Sequence, residues 1–223
     1  MIFDKEKIDF LISINDYEWG QYAFSRDPLK AKVSSELRKE MINKANECGR
    51  VEALKLKERF KGSSIKKIIE KMNLEIIEKD SNIADSYIMF ACYNSPNKIT
   101  IYKKNKILVE KFIYDNKLSN KLNNIDVESV LLAHELFHSI EENNKDIYTK
   151  NTKIVLWKIG AYKYKSGLVS IGEIAAMAFA KELLSLHYNP YLFDVLMLYP
   201  HDDKKANELY KEIEGFKGGV YYE

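Results

Sequence analysis

The sequence predicts an α+β fold, mostly helical, with a small three-stranded and largely antiparallel sheet. Two patterns carry that expectation. Apolar residues recur at i, i+3, i+4 and i+7 through the first and last thirds of the chain, the period of amphipathic helices. Near residues 74–103, three short runs rich in Ile and Tyr are bounded by turn-forming residues. No internal repeat or low-complexity linker interrupts the order of helices, sheet and helices, so 223 residues fit one domain with a helical extension.

Residues 4–24 carry two apolar clusters, Ile8, Phe10, Leu11, Ile14 and Tyr17, Trp19, Tyr22, Phe24, expected as a helix and a packed turn. From residue 27 to 60 the spacing is helical, with Gly49 a place for a break or kink. Charges of alternating sign there suit a solvated face, with a partner-helix role as the alternative. Residues 1–60 are thus expected as an N-terminal helical extension packed on the core, and 61–223 as the main domain. Ser63 or Ser64 caps a short helix to residue 73. Strands are expected at 74–78, 87–93 and 98–103, the last two joined as a hairpin by Asn94, Ser95, Pro96 and Asn97. The strand at 98–103 is a candidate edge for an extended peptide; the alternative is a hairpin covered on both sides. Further helices are expected at 107–114, 124–142, 170–187, 190–198 and 202–214, with a tail from 218. Residues 153–165 show no clear pattern.

The chemistry concentrates in the helix at 124–142, which carries His134, Glu135, Leu136, Phe137 and His138. Residues four apart on a helix share a face, so both imidazoles can address one metal ion. Glu135 then lies beside the open coordination position, placed to act as a general base on water. Asn124 or Asp126 can cap this helix, and Glu128 adds negative charge to its first turn. The bland alternative is two half-buried histidines hydrogen-bonded in a core. A closed structural zinc site is a poorer one, because Cys48 and Cys92 lie far apart and belong to no CxxC pair.

A catalytic zinc needs a third ligand. Asn144 stands where a metzincin would have its third histidine, so that option is out. Glu173, in the helix at 170–187, is the best candidate, on a face with Ala176, Met177 and Ala180 that would let the two helices approach closely. Its competing role is local: Ser170 and Glu173 also form a capping-box pattern, with the glutamate folded back on its own helix start. Glu141 is a reserve ligand. His187 lies about 20 Å further along and is too far for the same ion. No residue is singled out for stabilising an oxyanion; His187, His201 and the 15 Tyr are too many and too scattered.

The run from Leu132 to His138, followed by Glu-x-x-Ala-x-x-Phe-Ala-x-x-Leu-Leu from Glu173 to Leu184, resembles the ImmA/IrrE-type zinc metallopeptidases. These are small gluzincins associated with bacterial regulators and mobile elements. The resemblance covers residues 60–190 and implies a minimal-gluzincin-like domain with an HExxH active-site helix. It implies one Zn2+ on His134, His138 and Glu173, with Glu135 as general base, and cleavage of a protein or peptide, in relatives often a transcriptional repressor. The chain departs from the pattern at Phe137, where glycine is usual, and lacks Arg-Phe-Thr before the motif and Met-Pro after the Leu-Leu. Phe137 beside the metal could narrow the cleft, which sustains a second reading: a catalytically weak or inactive regulatory protein on the same fold.

Net charge +2, from 35 basic and 33 acidic residues, provides no general drive toward nucleic acid or anionic membrane, so neither partner is expected. A DNA-binding role for residues 63–73 lacks a helix-turn-helix partner. No apolar run approaches spanning length and the first residues lack a signal-peptide pattern. With two cysteines read as reduced, a cytoplasmic protein is expected. Abundant Lys, Asn and Ile suit an AT-rich bacterial genome.

Overall fold

Side-chain caps set most helix starts in this computed structural model, which describes residues 3–80 and 88–218. Asp4 caps α1 (Lys5–Ser13), and Asn15 with Glu18 forms a full capping box on α2 (Asp16–Ser25). The expected packed turn is therefore a second helix. Ser34 caps α3 (Ser35–Arg59) and Ser64 caps α4 (Ile65–Lys71). The first sheet is built from β1 (Glu75–Lys79), β2 (Ala91–Asn94) and β3 (Lys98–Tyr102). Then come α5 (Lys103–Asp115), α6 (Val127–Asn143) and a single turn, α7 (Tyr148–Asn151). A hairpin of β4 (Ile154–Ile159) and β5 (Tyr162–Ser166) precedes α8 (Val169–Leu183), α9 (Leu192–Leu198) and α10 (Asp203–Glu214). The fold is α+β. Residue 87 of the expected second strand and 219–223 of the tail lie outside the described residues.

The sheet order is β1-β3-β2, with β1 parallel and β2 antiparallel to β3. It is mixed rather than largely antiparallel, and β3 is its centre, not an exposed edge. Ile99, Thr100 and Ile101 are all buried, so β3 is covered on both faces as a middle strand must be. The 95–97 turn betrays only the β2 partner; β1 joins from further back, where no local signal reports it.

One hydrophobic cluster runs from Phe3 to Ile213 and holds residues of both the 1–60 and 61–223 segments. Its middle is α8, with α3 on one side and α6 on another. Gly49 does not break α3. It allows contact: a Cβ there would sit 2.0 Å from the Ala175 carbonyl oxygen of α8. Glu128, in the first turn of α6, is bridged by Lys66 of α4 and Lys106 of α5. The β4–β5 hairpin escaped notice because Trp157, Ile159, Tyr162 and Tyr164 face solvent, so its apolar residues mark no buried face. Among the described residues no helix is long and apolar enough to cross a membrane.

Candidate metal centre

Asp126 caps α6 through the Ser129 N–H, 2.6 Å away, and sets the helix that presents His134 and His138 one turn apart. Their rings meet edge-to-face with centroids 4.8 Å apart and their Nε2 atoms 3.0 Å apart. From α8, Glu173 reaches both: Oε2 is 3.3 Å from His134 Nε2 and Oε1 is 3.6 Å from His138 Nε2. The two helices come close because α8 offers small residues. Ala176 and Ala180 are fully buried, and a Cβ on Gly172 would lie 3.1 Å from Glu141 Oε1.

The capping box at Ser170 does not form. Helix α8 begins at Val169, one residue before Ser170, so Ser170 is not its N-cap and Leu168 offers no side-chain cap. The buried carboxylate of Asp27 does that work instead, accepting from the Ser170 N–H at 2.9 Å. It also accepts from the Leu29 N–H at 2.8 Å. A remote acid closes the helix start, and Glu173 is left to face the histidines.

Three donor atoms within 4.8 Å of one another could hold a metal ion. A tetrahedral ion with ligand bonds of about 2.0–2.1 Å sets its ligands about 3.3 Å apart. The two imidazole nitrogens are 3.0 Å apart, and each lies 3.3 or 3.6 Å from a different oxygen of Glu173, close to that value. The electrostatics point the same way. Burial opposes a charge on His134, yet the hydrogen bond to Glu173 and its negative charge push the imidazole up to about 9. Burial would raise Glu173 too, but the histidines hold it down at about 2. The cluster therefore calls for a cation at its centre, a proton if no metal is bound.

Supporting groups surround the three donors. His138 Nδ1 lies 3.5 Å from Glu141 Oε2. Glu141 is thus on the far side of the ring, not a reserve ligand; burial raises its carboxyl, and His138 and Thr149 bring it below the usual range. His134 Nδ1 is buried without a hydrogen bond, and the negative charge of Asp194 on α9 adds a small push toward the protonated imidazole. Asp194 accepts from the Tyr22 hydroxyl at 2.9 Å, and burial pushes it up to about 6. Beside it the Tyr191 hydroxyl is buried without a partner. The sequence reading missed Asp194, although a lone acid inside Leu192-Phe193-Asp194-Val195-Leu196 is a signal, since a buried carboxylate needs a reason.

Glu135 turns toward the sheet, where its Oε2 accepts from the Tyr93 N–H of β2 at 2.6 Å. The Phe90 carbonyl takes the Tyr102 N–H. By strand alternation Cys92 and Asn94 then face β3, while the backbone of Ala91 and Tyr93 faces outward. The exposed edge beside the centre is β2, not the predicted 98–103 strand. A cleft of about 310 Å³ joins Phe90 and Ala91 to His134, Glu135, Glu173 and Asp194. A second, of about 840 Å³, lies between Arg26, Val169, Tyr191 and the other flank of Glu173.

No model of a protein family, no curated protein and no solved structure matches the chain. The remaining sequence candidates fall away from the centre. His187 is exposed beyond the end of α8. The His201 ring lies behind Phe90, centroids 5.8 Å apart, with Nε2 buried and unpartnered. Phe137 does not narrow the cleft: it is fully buried against Phe179 in the α6–α8 interface. Cys48 and Cys92 are free thiols.

Proposed function

We propose that the protein is a cytoplasmic zinc-dependent peptidase of the ImmA/IrrE type that hydrolyses a bond in a protein or peptide. The observation that carries this is the convergence of His134, His138 and Glu173, one donor atom from each lying within 4.8 Å of the others, with Glu135 lining the cleft that reaches His134 and Glu173. Bound there, zinc would supply an acidified water and a polarised scissile carbonyl. Glu135 takes the proton of the attacking water and passes it to the leaving amine. Glu141 orients the His138 ring from behind. The outward backbone groups of β2 other than the Tyr93 N–H, which Glu135 holds, align an extended substrate strand across the cleft by hydrogen bonds. A transcriptional regulator is the substrate class the sequence resemblance suggests. The inactive-regulator reading drew on Phe137, which supports it no longer, since that side chain packs the core.

Metal analysis of the purified chain, with Glu135→Gln assayed on a fluorogenic peptide library, tests the reading. Stoichiometric zinc in both proteins and loss of cleavage in the variant are expected. A variant that loses its metal, or one that still cleaves, would exclude Glu135 as the general base.

A further inference from the structure

The β4–β5 hairpin carries a local excess of positive charge and a cluster of exposed apolar side chains, and the candidate metal centre uses neither. Residues 147–172 contain five lysines and no acid. The register pairs Ile159 with Tyr162 at the turn, then Lys158 with Lys163, then Trp157 with Tyr164. Residues two apart share a face, so Trp157, Ile159, Tyr162 and Tyr164 form one side and Lys158, Lys163 and Lys165 the other. Trp157 stacks on Tyr164, rings 5.3 Å apart and 16° from parallel. Exposure grows outward, from 47% at Trp157 to 72% at Ile159 and from 46% at Tyr164 to 63% at Tyr162. Lys158 and Lys163 stand directly opposite each other with no ion pair among the described residues, an arrangement that repels. Two strands with an uncovered apolar face also lack the support a hairpin needs. One face therefore offers apolar contact and the other positive charge.

We propose that this hairpin inserts its tip into an anionic lipid surface. The order along its axis selects that occupant. Ile159 and Tyr162 lead, the paired lysines follow at headgroup height, and Trp157 and Tyr164 come next. At about 3.3 Å per residue the apolar layers span about 7 Å, the depth of interfacial burial. Indole and phenol rings favour that interface, and lysine stems reach back to lipid phosphates. A single-stranded nucleic acid stacked on the aromatic side would leave the lysines behind it, and an acidic peptide on the lysine side would leave the aromatics bare. A surface met end-on engages both. A net charge of +2 over the whole chain conceals this local excess. The inference does not depend on the peptidase reading.

The test uses the full chain with vesicles of phosphatidylcholine, with and without phosphatidylserine. Co-sedimentation only with phosphatidylserine, weakening as salt rises, is expected. Because the other tryptophan, Trp19, is fully buried, a blue shift of emission reports Trp157. Lys158→Gln and Lys163→Gln should each lower partitioning about fivefold. Ile159→Asp should abolish the shift at an unchanged thermal midpoint. No binding to phosphatidylserine vesicles overturns the proposal. So does binding indifferent to Ile159→Asp or to both lysine changes, or preferential capture of single-stranded RNA with the same lysine dependence.

Discussion

Replacing Gly49 by alanine tests the packing that brings the metal ligands together. In an exposed helix this change stabilises by about 0.8–1.0 kcal/mol, because alanine loses less backbone entropy. Here the opposite sign is expected. The new Cβ would lie 2.0 Å from the Ala175 oxygen and 2.8 Å from the Phe179 nitrogen. Both belong to the backbone of α8 and cannot rotate away. Ordinary contact begins near 3.4 Å, so α3 and α8 must part by about 1.4 Å at this point. Overpacking of that kind costs about 1–3 kcal/mol, at the upper end when backbone must move. Against the propensity gain, a net loss of about 2 kcal/mol remains, or about 4–8 °C in Tm for a chain of this size. Glu173 lies half a turn from Ala175, and ligand distances tolerate only about 0.2 Å, so zinc affinity should fall as well. Urea unfolding followed by circular dichroism measures the first effect and competition with a chromophoric chelator the second. Gly167→Ala, where an added Cβ meets nothing within 4 Å, serves as the control. A Gly49→Ala protein as stable as the parent would refute the close approach of the two helices.

Three further outcomes are expected. Asp194 is buried with its carboxyl raised from 3.8 to about 6, so ionising it costs stability, fully above pH 6 and progressively less as pH falls toward 3.8. Asp194→Asn, which keeps an acceptor for Tyr22, should therefore stabilise by up to about 3 kcal/mol at pH 8 and hardly at all at pH 4. Melting curves at both values decide, and a less stable variant at pH 8 would mean the charge is compensated. Glu141→Ala should weaken zinc binding about 10- to 100-fold by removing the partner of His138 Nδ1; equal affinity in the chelator assay would deny that contact a role. Asp27→Ala removes the cap of α8 and should cost about 1–2 kcal/mol in urea unfolding. An unchanged midpoint would show that the Ser170 N–H is satisfied elsewhere.

Legibility in the sequence followed the range of the interaction. The helices at the two ends and the turn at 95–97 announce themselves through neighbours three, four or two residues apart. The middle position of β3 did not, because its second partner, β1, is parallel to it and not joined to it by a tight turn. Gly49 looked like a weak point of α3, since only the facing α8 backbone reveals why no side chain fits. The β4–β5 hairpin was missed for the reverse reason: it buries so little that alternation marks no core face.

The same division runs through the candidate centre. Its two imidazoles and adjoining carboxylate were readable because a helix fixes residues one turn apart, whatever surrounds it. The role of Glu173 was not, since a capping box and a ligand look identical in one dimension. Asp27 removes the capping-box role, from 143 residues away in the chain, by occupying the helix start that Glu173 would otherwise have served. Asp194 likewise comes under the charges of His134 and Glu173, and under the Tyr22 hydroxyl, only through the tertiary fold. Local geometry repeats wherever its residues occur, whereas a contact between distant segments exists only after the core has chosen which backbones lie side by side.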